Sequence, residues 1–122
     1  MKVAISVLLA AASFATCAGA APASSCFRMR DAQSHTVVDA KTLYLSVRGK
    51  EVYKMSMKGS CLGRANNTDP LITETFGGGA ICRPIDLDLS VDMNGFASHC
   101  IIDKIEKLSP EQVAEIPKKL RP

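Results

Sequence analysis

The chain has 122 residues, with 15 Lys and Arg against 12 Asp and Glu, so its formal net charge is only +3. This length is that of one domain. Basic residues gather only at Lys118-Lys119-Leu120-Arg121, and the chain has no Trp. Because a nucleic-acid-binding protein needs a basic face with aromatic residues among the charges, the composition argues against nucleic acid as a partner.

Residues 1–20 have the three parts of a secretory signal peptide. The chain starts with a positive charge, residues 3–15 are apolar apart from two serines, and Ala18-Gly19-Ala20 offers a small-x-small cleavage pattern. This apolar stretch is too short for a membrane anchor, which needs about 20 residues, and no second candidate follows. We expect cleavage after Ala20 and a periplasmic or secreted single domain at 21–122.

Cys17 allows a different interpretation, in which the chain is a bacterial lipoprotein lipidated at that residue. Lipoprotein signals have a small residue just before the Cys and usually a Leu three residues before it, whereas this chain has Thr16 and Phe14. The lipid on Cys17 would also be the sole tether. We therefore prefer cleavage after Ala20 and keep the lipid anchor as the minor alternative.

The first hairpin is predicted at residues 36–47 and 51–57, where apolar and polar residues alternate with the period of a half-buried strand. Arg48-Gly49-Lys50 forms the turn. Because a register slip of one residue would turn the apolar set to the wrong face, a three-residue loop is required. It sets two pairs on one face, Leu45 with Tyr53 and Leu43 with Met55.

A turn-rich segment follows. Residues 63–70 predict an exposed loop, and short strands at 71–76 and 80–83 flank Gly77-Gly78-Gly79. The three glycines predict a flexible turn. They do not predict a phosphate loop, because the GxxxxGK[ST] context is missing and no helix follows.

The clearest hairpin surrounds Asn94-Gly95, the strongest two-residue hairpin turn. Before it, apolar and polar residues alternate from Ile85 to Met93. Counting from the turn predicts three pairs on one buried face, Met93 with Phe96, Leu89 with Cys100 and Leu87 with Ile102. Cys100 should therefore point inward. The other face pairs Ser90 with His99, and Asp88 and Asp92 are the diagonal neighbours of His99.

The chain closes with a short helix. Ser109 is a natural N-cap, Pro110 occupies the first helical position, Gln112 completes a capping box, and Pro117 ends the helix within about two turns. The whole pattern predicts a mainly β fold. We expect five to six antiparallel strands in a small curved sheet or barrel, with one short C-terminal helix.

Four cysteines remain after cleavage, Cys26, Cys61, Cys82 and Cys100. An even number in a small exported chain predicts two disulfides, for which three pairings exist. No C-x-x-C is present, so neither a thioredoxin-type redox pair nor a zinc knuckle is indicated. Hairpin proximity favours Cys61–Cys82, which would close the loop and strand pair 61–82, and Cys26–Cys100, which would tie the ends of the sheet.

One polar face has a possible chemical role. His99 shares it with Asp88 and Asp92, and an imidazole with carboxylates could bind a divalent metal. The competing interpretation is a solvated acidic strand. The spacing from Asp86 fails as an EF-hand, because its sixth residue is Val91 instead of Gly and its twelfth is Ala97 instead of Glu. We expect no metal and no cofactor, and retain His99, Asp88 and Asp92 only as metal candidates.

Catalytic signatures are missing. The chain has no G-x-S-x-G elbow, its cysteines serve better as disulfide halves, and His35 has no partner placed by the pattern. We therefore expect no enzyme and name no catalytic residue.

With the cysteines and strands placed, a set of short segments forms a recognisable order: Cys26-Phe27-Arg28, Thr36-Val37-Val38-Asp39, Thr42-Leu43, Val52-Tyr53, Ser60-Cys61-x-Gly63, Ile81-Cys82, Cys100-Ile101-Ile102-x-x-Ile105 and Leu108-Ser109. Through these segments the chain resembles the small exported bacterial proteins of domain-of-unknown-function family 6491. Many members have a clear lipoprotein signal, from which this chain departs at Thr16, and Arg83-Pro84 replaces the Gly-Asp that often follows the third Cys. The family has no known activity, so the resemblance implies an envelope location and carries over no catalytic residue.

These observations predict a non-enzymatic envelope module that binds or supports an envelope protein or ligand, with loops such as 63–70 available for recognition. The alternative is a redox- or metal-responsive periplasmic protein that uses a labile disulfide or the His99 face. A small envelope enzyme is the third hypothesis, and it requires a pocket that gathers distant polar residues.

Overall fold

The computed structural model describes residues 25–122. The predicted signal peptide, the cleavage after Ala20 and the lipid alternative at Cys17 lie outside the described residues. Within the described part, no helix is long and apolar enough to cross a membrane.

The described residues form nine strands, one α-helix and three single 3-10 turns. The strands are β1 (Phe27–Arg28), β2 (Ala32–Asp39), β3 (Thr42–Val47), β4 (Glu51–Met57), β5 (Leu71–Thr75), β6 (Ala80–Ile81), β7 (Leu87–Met93), β8 (Phe96–Cys100) and β9 (Ile102–Lys107). The helix is α1 (Pro110–Glu115), and the 3-10 turns span Met29–Asp31, Pro84–Asp86 and Lys118–Leu120.

The strands lie in three antiparallel sheets, ordered β2-β3-β4-β9, β5-β7-β8 and β1-β6. The prediction of a mainly β chain with one short C-terminal helix is confirmed. The arrangement differs from the expected single curved sheet or barrel of five to six strands. Residues 36–47, predicted as one strand, form the end of β2, a turn and β3, and the strand predicted after Phe96 is divided between two sheets as β8 and β9.

The β3–β4 hairpin has the predicted register, with Leu45 opposite Tyr53 and Leu43 opposite Met55. Its turn contains left-handed residues at Arg48 and Gly49. Arg48 accepts this conformation while its backbone N–H donates to the carbonyl of Asp31 at 2.9 Å. The buried face of the hairpin therefore fixed the loop length, as argued from the side-chain period.

The β7–β8 hairpin also has the predicted register up to Cys100. Asn94 and Gly95 both have positive φ, which is the conformation of a type I′ turn. Leu89 faces Cys100 and Ser90 faces His99. Cys100 is 2% exposed, so its predicted inward direction is confirmed.

Beyond Cys100 the prediction fails, because the chain changes sheets at Ile101. Ile102 pairs with Met57 of β4 instead of Leu87, and the backbone N–H of Lys58 donates to the carbonyl of Ile101 at 2.9 Å. The predicted Leu87–Ile102 pair is therefore wrong. A hairpin turn specifies register only while both strands continue together, and here β4 captures the second strand.

Two ends of this hairpin are more exposed than the alternation predicts. Ile85 belongs to the 3-10 turn before β7, and Phe96 lies beside the β-turn at the open end of the sheet. Both side chains are largely exposed. The alternating pattern thus extends beyond the part of the strand that the core covers.

The two short strands around the glycines do not pair with each other. β5 pairs with β7, and β6 pairs with β1. Gly77, Gly78 and Gly79 all have positive φ, so this turn sends the chain from one sheet to another instead of closing a hairpin.

A single hydrophobic cluster joins the sheets. Phe27 of β1 packs its ring 4.5 Å from the ring of Tyr53, measured between centroids. Burial raises the pKa of the Tyr53 phenol. The buried cluster comprises Phe27, Leu43, Leu45, Val47, Tyr53, Met55, Met57, Leu62, Ile81, Leu87, Leu89, Val91, Cys100 and Ile102.

The cysteines form two disulfides, but the predicted partners were wrong. The bonds are Cys26–Cys82 and Cys61–Cys100, with Cα–Cα distances of 4.3 and 5.4 Å, instead of Cys26–Cys100 and Cys61–Cys82. In the antiparallel β1–β6 ladder Phe27 faces Ile81, so the next residues outward, Cys26 and Cys82, are brought together. The crossing of β9 onto β4 likewise brings the end of β8 beside the segment that follows β4.

The C-terminal helix begins as predicted. Ser109 Oγ accepts from the backbone N–H of Gln112 at 3.2 Å, and Gln112 Oε1 accepts from the backbone N–H of Ser109 at 2.8 Å. Two otherwise unpaired backbone donors are thereby satisfied. The helix ends at Glu115, before Pro117.

Candidate functional site

The largest cluster of exposed apolar residues lies in an open groove of about 490 Å³. We call it the Ile101 groove. It lies where the chain passes from β8 to β9, and the 3-10 turn before β7 forms one of its walls. Its lining residues are Lys58, Phe76, Pro84, Ile85, Leu87, Asp88, His99, Cys100, Ile101, Ile102 and Asp103.

Three large apolar side chains are exposed in this groove. Phe76 is 53% exposed, Ile85 74% and Ile101 58%. In the described part of the chain, only Ile72 and Phe96 are comparable large apolar residues on the surface outside it. Isolated exposed apolar residues are ordinary in proteins, but clustered ones in a concavity with a polar rim are typical of an interaction site.

The strand alternation explains why Ile101 faces solvent. Cys100 and Ile102 turn inward and are buried, so the residue between them must turn outward. His99 and Asp103 lie on the same outer side as Ile101 and are also exposed. Ile101, at the junction between β8 and β9, is therefore an exposed apolar side chain between two exposed polar ones.

The Ile85 wall of the groove is held by Asp86. The Arg83 guanidinium donates to Asp86 Oδ1 at 3.0 Å. The backbone N–H groups of Cys82 and Arg83 donate to Asp86 Oδ2 at 3.1 and 2.9 Å. The Arg83 side chain, followed by the Cys82 N–H, lowers the pKa of the Asp86 carboxyl, because these donors favour its ionised form.

The Phe76 wall is less constrained on its far side. The backbone N–H of Phe76 donates to the carbonyl of Asp86 at 3.0 Å, which joins the two walls. Directly after it, Gly77 and Gly78 have positive φ and no neighbouring atom within 4 Å of an added Cβ. The segment after Phe76 is thus solvent-surrounded, and a contacting partner would meet little steric opposition there.

The rim carries charges of both signs. Lys58 and Asp103 are exposed, and neither forms an ion pair with another described residue. Lys58 lies across from Ile101 at the sheet junction, and Asp103 follows two residues later, in β9. This arrangement offers one cation and one anion to a polar partner at the edge of an apolar floor.

The structure brings together only two of the three metal candidates. His99 Nε2 lies 2.7 Å from Asp88 Oδ1, and this pair lines the groove. Asp92 turns instead to the hairpin end, where its Oδ1 accepts from the backbone N–H of Gly95 at 2.7 Å. Among residues 25–122, no three His, Cys, Asp or Glu side chains converge as metal ligands would.

The predicted recognition loop 63–70 has a structural role in the described molecule. Asn67 Oδ1 accepts from the backbone N–H of Val37 at 2.7 Å and so occupies a donor of strand β2. Asp69 is buried and accepts from the backbone N–H of Asn66 at 2.9 Å. The first contact holds the loop against β2 and the second is internal to the loop, none of whose residues lines the Ile101 groove.

His35 lies at the border of β2 and β5, in a small recess that Leu71 of β5 also lines. Its Nε2 is buried without a hydrogen-bond partner in the described chain. Burial lowers the pKa of His35, although a backbone contact and the charge of Asp69 oppose that shift. His35 is not part of the groove.

Sequence reasoning did not identify Phe76, Ile85 or Ile101 as site residues. One signal was present, because Ile101 falls on the polar face of the alternating strand between His99 and Asp103. Ile85 gave no such signal, since it continues the apolar alternation of β7. The β5–β7 pairing places Ile85 near Phe76, and the sheet change at Ile101 brings Ile101 to the same groove.

These features define a class of protein: a small, disulfide-stapled β module with an open, apolar-floored groove. The chain belongs to the family of unknown function DUF6491, whose match covers residues 1–122, the whole chain. No curated protein and no solved structure matches it.

Proposed function

We propose that this chain is an exported module of the bacterial envelope that binds a protein partner through the Ile101 groove and catalyses no reaction. The observation that carries the proposal is the clustering of Phe76, Ile85 and Ile101 in one concavity. The predicted leader and the two disulfides support export, because disulfides persist in oxidising compartments.

The size and charge of the groove favour a segment of a protein as the occupant. A volume of about 490 Å³ accommodates a few side chains and falls within the ordinary range of ligand sites. The rim charges of Lys58 and Asp103 have opposite signs, which a polypeptide can match with its own charged side chains and termini. An apolar centre with a polar rim is also the general anatomy of a protein interface.

Export can be tested by the intact mass of the protein produced from the full chain in a Gram-negative host. A mass that begins at Ala21, with four thiols that react only after reduction, supports a cleaved, two-disulfide protein. A lipid on Cys17 would replace this with a membrane-tethered form. Recovery of the protein from the cytosol with residues 1–20 still attached would contradict export.

Binding can be tested by photo-crosslinking in living cells. A benzophenone amino acid replaces Ile85 or Ile101 in the groove, or Ile72 as the matched control, which is also an exposed isoleucine but lies outside the groove. We expect one discrete protein adduct at both groove positions and none at the control. Adduct formation that is absent from the groove, or equal at Ile72, would overturn the proposed site.

The redox- and metal-responsive alternative has unequal support. The metal half has only the His99–Asp88 pair, with Asp92 engaged elsewhere. The redox half has a specific observation in its favour, which is that Cys26 and Cys82 are both exposed to solvent. Graded reduction with dithiothreitol tests the redox half. If Cys26–Cys82 resists reduction as strongly as Cys61–Cys100, the redox alternative is removed.

A further inference from the structure

The two disulfides differ sharply in accessibility. Cys26 and Cys82 are both exposed, whereas Cys100 is 2% exposed and Cys61 is half-buried. A thiolate opens a disulfide by direct attack on one sulfur, so access decides which bond reacts. The exposed bond is therefore the one that an external thiol can reach in the folded protein.

The exposed disulfide is also directly connected to the wall of the Ile101 groove. Cys82 is followed within three residues by Pro84 and Ile85, which line the groove. Its backbone N–H is one of the two that Asp86 holds. Apart from the disulfide, the β1–β6 connection has only two residue pairs, so the covalent bond is a large part of what fixes this segment.

The rest of the fold does not depend on this bond for its position. Phe27 and Ile81, the facing residues just inside the disulfide, are buried in the core, and Phe27 contacts Tyr53. Opening the bond would free Cys26 and remove the covalent restraint on the segment 82–86, which would then depend on the Asp86 hydrogen bonds, while Phe27 and Ile81 stay anchored. The consequence is local loosening of the groove wall instead of global unfolding.

We propose that Cys26–Cys82 is a thiol–disulfide exchange site for a dithiol reductant, and that its opening weakens binding in the Ile101 groove. A thiolate of the reductant attacks one of the two sulfurs, the S–S bond breaks, and the released cysteine thiolate takes a proton. The second thiol of the reductant, as its thiolate, then attacks the reductant sulfur of the mixed disulfide, and the second protein cysteine leaves as a thiolate that takes a proton. Both cysteines end reduced, and the dithiol ends as its own disulfide.

The exchange chemistry is tested by graded reduction of the full oxidised protein with dithiothreitol, followed by alkylation and peptide mapping. We expect Cys26 and Cys82 to be alkylated at concentrations at least about tenfold below those needed for Cys61 and Cys100, because the second pair is shielded. Simultaneous opening of both bonds, or earlier opening of the buried one, would overturn the proposal.

The loosening of the groove wall is tested by residue-resolved amide hydrogen exchange, which needs no ligand. In the C26A/C82A variant, the backbone amides at positions 82 and 83 should exchange at least about tenfold faster than in the oxidised wild type, while the amides of β3 and β4 stay protected. C61A/C100A is the matched control, since it removes the other disulfide and leaves Cys26–Cys82 closed, so the amides at positions 82 and 83 should stay protected. Unchanged exchange in C26A/C82A would show that the bond does not hold the wall.

The effect on binding rests on the proposed function, and the experiment distinguishes a failure of the redox control from a failure of the proposed function. With the crosslinker at Ile85 or Ile101, we expect adduct yield to fall severalfold in C26A/C82A relative to the oxidised protein. Equal yield in both would overturn the redox control while leaving the groove as the binding site. Failure of crosslinking in every redox state would remove the groove, and the order of alkylation would still decide the exchange site.

Discussion

The two disulfides should contribute unequally to stability, in an order opposite to that of their loop lengths. They close sequence separations of 56 residues for Cys26–Cys82 and 39 for Cys61–Cys100. In the chain-entropy account, each contributes about 4 kcal/mol, and the longer loop gains only about 0.3 kcal/mol over the shorter because the dependence is logarithmic. Loop length alone therefore predicts nearly equal effects, slightly larger for Cys26–Cys82.

Packing reverses this order. Cys26 and Cys82 are exposed residues, so replacing both by Ala should leave no cavity. Replacing Cys61 and Cys100 removes sulfur from the edge of the core, where Cys100 is buried against the β7–β8 sheet, and adds about 1–2 kcal/mol for lost contacts and incomplete collapse. We expect C61A/C100A to be the more destabilised variant by at least about 1 kcal/mol.

The measurement is equilibrium urea unfolding of the oxidised wild type and the two double variants at one pH, followed by tyrosine fluorescence and circular dichroism. The urea dependence of each unfolding free energy is compared as well, so that a change in the unfolded state is not counted as a change in native contacts. Equal losses, or a larger loss for C26A/C82A, would refute the packing argument and leave chain entropy as the main source of the stabilisation.

Three further predictions follow from single contacts. The pKa of His35 is lowered in the fold, so its contribution to the unfolding free energy should be complete above about pH 6.5, where the free imidazole titrates, and should be lost as the pH falls toward the lowered folded value. H35L should flatten this pH dependence of the unfolding free energy in urea titrations between about pH 8 and 4. S109A should cost about 1 kcal/mol by the same unfolding assay, because the N–H that Ser109 satisfies loses its acceptor, and an unchanged midpoint would contradict the capping role. G95A should cost about 1 kcal/mol through the left-handed conformation of Gly95, whereas G59A, which has open space and no positive φ, should be nearly neutral as its control.

The local parts of the fold were determined by the sequence. The alternation of Leu43 and Leu45 with polar neighbours specified one face, and the turn length specified the register against Met55 and Tyr53. The Asn94-Gly95 turn specified its hairpin in the same way. The C-terminal helix followed from its capping residues, because a capping box acts within four positions of the chain.

The tertiary structure decided which distant segments meet. Four cysteines allow three pairings, and nothing near each cysteine distinguishes among them. The choice depended on two long-range events, the pairing of β1 with β6 and the transfer of the chain from β7 to β4 at Ile101. Loop-closure entropy varies too slowly with separation to favour one distant contact over another, so burial of the whole core makes the selection.

The same transfer created the candidate site. From the sequence, Phe76, Ile85 and Ile101 belong to three different segments, and only one of them stood out on a polar strand face. They become neighbours because β9 leaves the β7 ladder and the 3-10 turn before β7 packs beside it. Short-range periodicity can assign a side chain to a face, but the position of that face in space depends on how the sheets pack against one core.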